Sequence, residues 1–91
     1  MYSLLIFKTD DQKVNTTTEN FGYDNLEVHF IYESIESDQY WIKLYNVTEF
    51  PTFVLLHDRK ETDRTSKINY ESDYDIKCWI RNAMNYEQEY D

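Results

Sequence analysis

A chain of 91 residues, 41% hydrophobic and 30% charged, has the make-up of one small folded domain with no room for a second core. One cysteine, Cys78, excludes an internal disulfide, and with only His29 and His57 beside it a structural zinc site is excluded as well. Eighteen acids against nine bases give a net charge of −9, which argues against binding nucleic-acid phosphates or an anionic membrane and permits a partner that itself carries a basic groove.

Taken in chain order, Tyr2-Ser3-Leu4-Leu5-Ile6-Phe7 is a short apolar run, the mark of a strand buried on both faces. Asp10-Asp11 opens a polar segment that reads as a short or irregular helix, since acids suit a helix N-terminus while Asn15-Thr16-Thr17-Thr18 are poor helix formers. Val14 and Phe21 are its candidate inward residues, and Gly22, the single glycine, is its expected end. Leu26–Tyr32 predicts a strand with Leu26, Val28, Phe30 and Tyr32 on its inner face and His29 on the other. Ser34 or Ser37 can cap the next helix, where Trp41, Leu44 and Tyr45 fall at i, i+3, i+4 and predict a buried stripe.

Thr52–Leu56 follows Pro51 as a second buried strand. The charged stretch His57–Asp63 reads as a turn, and Thr65–Tyr70 alternates like an edge strand with Ile68 and Tyr70 on one side. The last helix starts at an N-cap, Ser72, carries Asp73 and Asp75 in its first turn, and traces one stripe with Ile76, Trp79, Ile80, Ala83 and Met84. Residues 1–86 are expected to form one domain, and the acidic tail 87–91 to fray. Nine Tyr, five Phe and two Trp supply the large apolar surfaces that a small core needs. No run is long enough to span a bilayer and the N-terminal stretch has no basic n-region, so the expected location is the cytoplasm.

The resulting order, β-α-β-α-β-β-α, describes an α/β fold with a four-stranded mixed sheet flanked by helices. That order, together with the phrase Tyr45-Asn46-Val47-Thr48-Glu49-Phe50-Pro51-Thr52-Phe53-Val54-Leu55-Leu56, resembles a minimal thioredoxin/glutaredoxin-like fold. Leu4–Phe7 matches the family's central strand, Leu26–Tyr32 the next strand, and Asp73–Met84 the closing helix. The resemblance implies a cis Pro51, with the backbone of Phe50 at the place where the family pairs with a bound peptide or glutathione. The family's Cys-x-x-Cys follows the first matched strand, but the stretch here is Lys8-Thr9-Asp10-Asp11-Gln12-Lys13-Val14. Without a thiolate and a resolving thiol, dithiol oxidoreductase chemistry has no reagent at this place.

Cys78, mid-helix and about 200° around from Ile76, reads as a bystander rather than a redox sensor or one-cysteine glutathione exchanger. His29 and His57 read as packing or turn residues, and Asp10-Asp11 as helix-start acids rather than an acid–base pair. No nucleophile elbow, phosphate loop or metal cluster stands in the chain, so no cofactor is expected.

The leading expectation is therefore a non-catalytic module that binds and modulates another protein. The scarcity of Gly, Pro and Ala suggests an AT-rich genome, hence a phage or viral accessory acting on a host protein. The alternative is an acidic mimic of nucleic acid that fills a basic groove, of the anti-restriction or anti-CRISPR type. A glutathione-binding redox protein comes third. Residues 1–50 carry nine acids and three bases, 51–69 three and four, and 70–91 six and two. The candidate partner-binding residues are Asp10, Asp11, Glu33, Glu36, Asp38, Phe50, Pro51, Asp73 and Asp75.

Overall fold

The chain runs β1 (Tyr2–Lys8), β2 (Leu26–Tyr32), a 3-10 turn (Glu36–Asp38), α1 (Gln39–Leu44), β3 (Thr52–His57), β4 (Lys60–Thr65) and α2 (Asp73–Gln88). This is a computed structural model that describes residues 1–16 and 18–88, the side chains of 86–88 apart. The strands form one mixed sheet in the order β2-β1-β3-β4. β1 is parallel to β2, with Tyr2 opposite Leu26 and Lys8 opposite Tyr32, while β3 is antiparallel to both β1 and β4. An α/β fold on a four-stranded mixed sheet is thus what the chain adopts.

The two unbroken apolar runs take the two central places, where both faces of a strand are covered. From β1, Leu4 and Ile6 point to one core and Leu5 and Phe7 to the other; β3 divides Phe53 and Leu55 from Val54 and Leu56 in the same way. The first core is closed by Ile76, Ile80, Ala83 and Met84 of α2, and the second by Ile42 of α1 with Val47. Ser72 caps α2 as its sequence indicates, its Oγ accepting the Asp75 N–H at 3.1 Å.

Several elements differ from the expectation. No helix forms between β1 and β2 among the described residues; 9–16 and 18–25 are turns and irregular backbone. The segment buries its apolar residues without one. Phe21, with a positive φ of 55°, is 2% exposed in the first core, with Val14 and Tyr23 packed beside it. The Gln12, Phe21 and Tyr23 N–H groups bond to carbonyls three residues back, and Asn15 ties the segment to the stretch before α2, donating its N–H to Tyr70 O and its Nδ2 to Glu71 O, both at 3.0 Å. Asp10 and Asp11 consequently start no helix and serve no helix dipole.

The charged stretch expected to be a turn is mostly strand. Only Asp58 and Arg59 turn, both at positive φ (50° and 74°), as a two-residue hairpin loop requires. Lys60–Thr65 then forms β4, an edge strand whose charged side chains face solvent, which is why hydrophobic alternation did not mark it. Thr65–Tyr70 is not the edge strand, although Ile68 and Tyr70 do pack on the first core.

In α1 two of the three residues of the expected inward stripe face outward. Trp41 is 43% and Leu44 55% exposed, Ile42 is the buried residue, and Tyr45 packs against Phe7 at 6.0 Å. The helix has only six residues, and Asn46 at φ 54° reverses the chain so that Val47 completes the contact. On β2, Leu26 and Val28 face the first core, but Ile31 faces the second and Phe30 is 39% exposed, because neither helix covers the outer margin of an edge strand. Trp79 is half-buried, its ring 6.3 Å from Phe53. The tail expected to fray from 87 is helical through Gln88, and 89–91 lie outside the described residues.

Candidate functional site

The register brings several loops to one end of the sheet. β1 and β2 are parallel, so Thr9–Gln12 and Glu33–Asp38 leave the sheet on the same side. β3 is antiparallel to β1, so Phe50-Pro51 enter the sheet there, and β4 ends there at Thr65 opposite Phe53. The Phe50–Pro51 peptide bond is cis.

Hydrogen bonds join these loops. Ser34 Oγ donates to Asp10 Oδ1 at 2.9 Å, and the Glu33 N–H donates to Lys8 O at 3.0 Å. Gln12 holds two strands' ends at once: its Oε1 accepts the Thr9 N–H at 3.0 Å while its Nε2 donates to Phe50 O at 2.8 Å. The carbonyl ahead of Pro51 is therefore engaged by the chain's own side chain. Lys8, 7% exposed, runs its Nζ to Thr9 O at 2.9 Å and lies 4.7 Å from the centre of the Tyr32 ring, a cation over an aromatic face.

The candidate acids divide between two sides of this end. Asp10, Asp11, Glu33 and Glu36 are exposed and belong to the joined loops beside α1. The Thr9 hydroxyl donates to Asp11 and, together with a backbone hydrogen bond, holds its carboxyl below the ordinary aspartate value. Asp38 is partly spent inside the fold, accepting the Tyr32 N–H at 2.9 Å. Asp73 and Asp75 stand with α2 on the opposite face of the sheet, and Asp73 pairs with Lys77 at 3.2 Å. The nine candidates thus form no single patch: the loops of Asp10-Asp11 and of Glu33 and Glu36 are joined, Pro51 is buried and Phe50 packs on the second core rather than on the surface, and Asp73 and Asp75 do not join them.

Other titratable residues are placed as ordinary surface groups. Cys78 lies half-exposed on α2, where its hydrogen bond with Tyr74 pushes that phenol above its usual range. His29 lies 3.7 Å from Glu27, and His57 stacks on Tyr2 with ring centres 4.2 Å apart. Among the described residues no three His, Cys, Asp or Glu side chains are grouped to hold a metal ion, and no helix is long and apolar enough to cross a membrane.

Reading the sequence missed Lys8 and Gln12. The signal for Gln12 was its place just past β1, opposite the loop that carries Pro51; for Lys8 it was the cross-strand partner Tyr32. It also expected Trp41 inside, whereas Trp41 meets the exposed Tyr40 edge to face at 5.2 Å and is itself exposed. No protein-family model and no curated protein matches the chain.

Proposed function

We propose that the chain is a non-catalytic binding module that docks on a protein with a basic surface. The observation that carries this reading is that the Ser34–Asp10 hydrogen bond joins the acidic loops of Asp10-Asp11 and of Glu33 and Glu36, and that the second of these runs into a helix with exposed Tyr40 and Trp41, in a molecule of net charge −9. Carboxylates of this kind steer a basic partner into encounter, and Tyr40 and Trp41 are the residue types that anchor it once there.

A thioredoxin-like reading of the fold is supported by the parallel β1–β2 pair, the β3–β4 hairpin and the closing helix α2. The irregular stretch between β1 and β2 departs from it. Gln12 in the stretch where the family carries its thiols supports a scaffold used for binding rather than for redox exchange.

The test is capture of partners from lysate on the immobilised chain, elution with salt, and kinetic measurement on the partner identified. Exposed charges are screened beyond about 8 Å at physiological ionic strength. The association rate should therefore fall as salt rises, and it should fall again in a Glu33→Lys, Glu36→Lys double variant. Asp38 is left intact because its carboxylate ties Tyr32. Association that is flat in salt and unchanged in that variant overturns the reading.

A further inference from the structure

The two edges of the sheet are built differently. β4 carries only Lys, Glu, Asp, Arg and Thr, and its register against β3 is irregular between Leu55 and Leu56. Charge and irregularity both discourage an added strand. β2, at the other edge, is aliphatic or aromatic at Leu26, Val28, Phe30, Ile31 and Tyr32, and it pairs with β1 in unbroken register.

The bonds at the ends of β2 set the phase of its free edge. The Glu33 N–H donates across to Lys8 O, so by alternation Ile31, His29 and Glu27 turn their backbone groups toward β1. The residues between them turn outward. There the Leu26 N–H is taken by Tyr23 O at 3.3 Å and the Tyr32 N–H by the Asp38 carboxylate at 2.9 Å. Between these two stops the N–H and C=O groups of Val28 and Phe30 face away from the sheet, and no described strand lies beyond them.

Side chains of a strand laid along this edge would alternate between two hollows. One, about 510 Å³, lies between β2 and α1 and is lined by Leu5, His29, Phe30, Trp41 and Leu56 among others. The other, about 410 Å³, is lined by Glu19, Asn20, Leu26, Glu27, Val28 and His29. Arg59 also lines the first hollow, but the charge on β2 and the segments that flank it is of one sign. Residues 14–42 contain no Lys or Arg and six acids, Glu19, Asp24, Glu27, Glu33, Glu36 and Asp38, so −6 of the net −9 belongs to the stretch that holds β2. A second copy of the chain would bring the same negative charge against this edge; a basic segment would neutralise it.

We propose that the outer edge of β2 accepts an extended basic segment of a partner protein as an added strand. The backbone groups of Val28 and Phe30 pair with it, and the flanking acids receive its Lys or Arg side chains. The inference rests on the binding-module reading above and names where the partner's chain lies.

The probe is a synthetic peptide of about nine residues, long enough to span such an edge, alternating valine and threonine between terminal lysines. Two relatives serve as controls, one N-methylated through its centre and one with glutamates for the lysines. Titration into the full chain, followed by amide NMR, should show binding of the first peptide and protection of the Val28 and Phe30 amides from exchange. The N-methylated peptide, with charge unchanged but its donors gone, should bind about tenfold more weakly or worse. Equal binding of these two with unprotected amides overturns strand docking, while leaving salt-sensitive attraction to the acidic surface standing. Binding that is indifferent to salt and to the glutamate exchange overturns the acidic-surface reading itself and the basic partner with it. No binding of the lysine peptide overturns the proposal, as does protection of both amides in the chain alone that grows with concentration, which would make a second copy the occupant.

Discussion

Gln12 shows how much one uncharged side chain holds in place. It receives a hydrogen bond from Thr9 and gives one to Phe50 O, joining segments 38 positions apart in sequence. Each such bond contributes about 0.5–1.5 kcal/mol net, so Gln12→Ala should lower the unfolding free energy by roughly 1–2 kcal/mol in denaturant titration. Gln12→Glu is the sharper test. An ionised carboxylate can still accept from Thr9 but cannot donate to Phe50 O, and it sets negative charge against a carbonyl. Its ionised form is therefore disfavoured in the folded state and its pKa rises above the ordinary value of about 4.3. The variant should be at least as destabilised as Gln12→Ala at pH 7 and should recover as pH falls and the carboxyl gains a proton to donate. A variant of wild-type stability at pH 7 would remove Gln12 from this role.

At the scale of elements, the two tryptophans separate the two helices. Trp79 lies on a sixteen-residue helix that closes the first core, half-buried and set against Phe53. Trp41 lies on a six-residue helix and is 43% exposed. Trp79→Ala should cost about 2–3 kcal/mol, under the roughly 3–5 kcal/mol of a fully enclosed aromatic. Trp41→Ala should stay within about 1 kcal/mol, as surface changes do, while weakening partner binding. Iodide should quench Trp41 emission more than Trp79 emission in the respective single-tryptophan variants. Equal thermal shifts in the two alanine variants would contradict the unequal packing.

At the scale of the whole molecule, the surplus of acids opposes the compact state at neutral pH. Some carboxylates work the other way. Hydrogen bonds from Arg64, at 2.7 and 2.8 Å, hold the Glu61 carboxyl below its ordinary value, and the N-terminal ammonium does the same for Asp58. Because these folded-state pKa values are lowered, their stabilisation is complete above about pH 4.3 and is lost as pH falls through the lower folded values. All these groups are substantially exposed, so each contributes little. The expected profile of thermal stability is a broad maximum near pH 5–6, since relief of repulsion precedes loss of the pairs on acidification, with a decline below about pH 4. Added salt should raise the midpoint at pH 7. A midpoint at pH 7 that is indifferent to salt would show that self-repulsion is negligible.

Local chemistry was enough to read much of this molecule. The apolar runs of β1 and β3, the extent of β2, the Ser72 cap and the stripe Ile76, Ile80, Ala83 and Met84 are decided by neighbours a few residues away, and the periodicity records them. The acidic candidates were legible as residue types, but which of them meet was not. That Asp10 joins Ser34 while Asp73 stands across the sheet depends on strand order and direction. The same cause lies behind the misread elements. KETDRT is a strand because β3 offers it a ladder, and an edge position leaves its charges in water. Trp41 and Leu44 face outward because a short helix turned at Asn46 reaches only part of its sheet face. The stretch between β1 and β2 needs no helix because short turns and the bonds of Asn15 to Tyr70 and Glu71 satisfy its polar groups, and the first core takes Phe21. Sequence periodicity tells which residues can be buried, whereas the sheet order decides which neighbours exist to bury them.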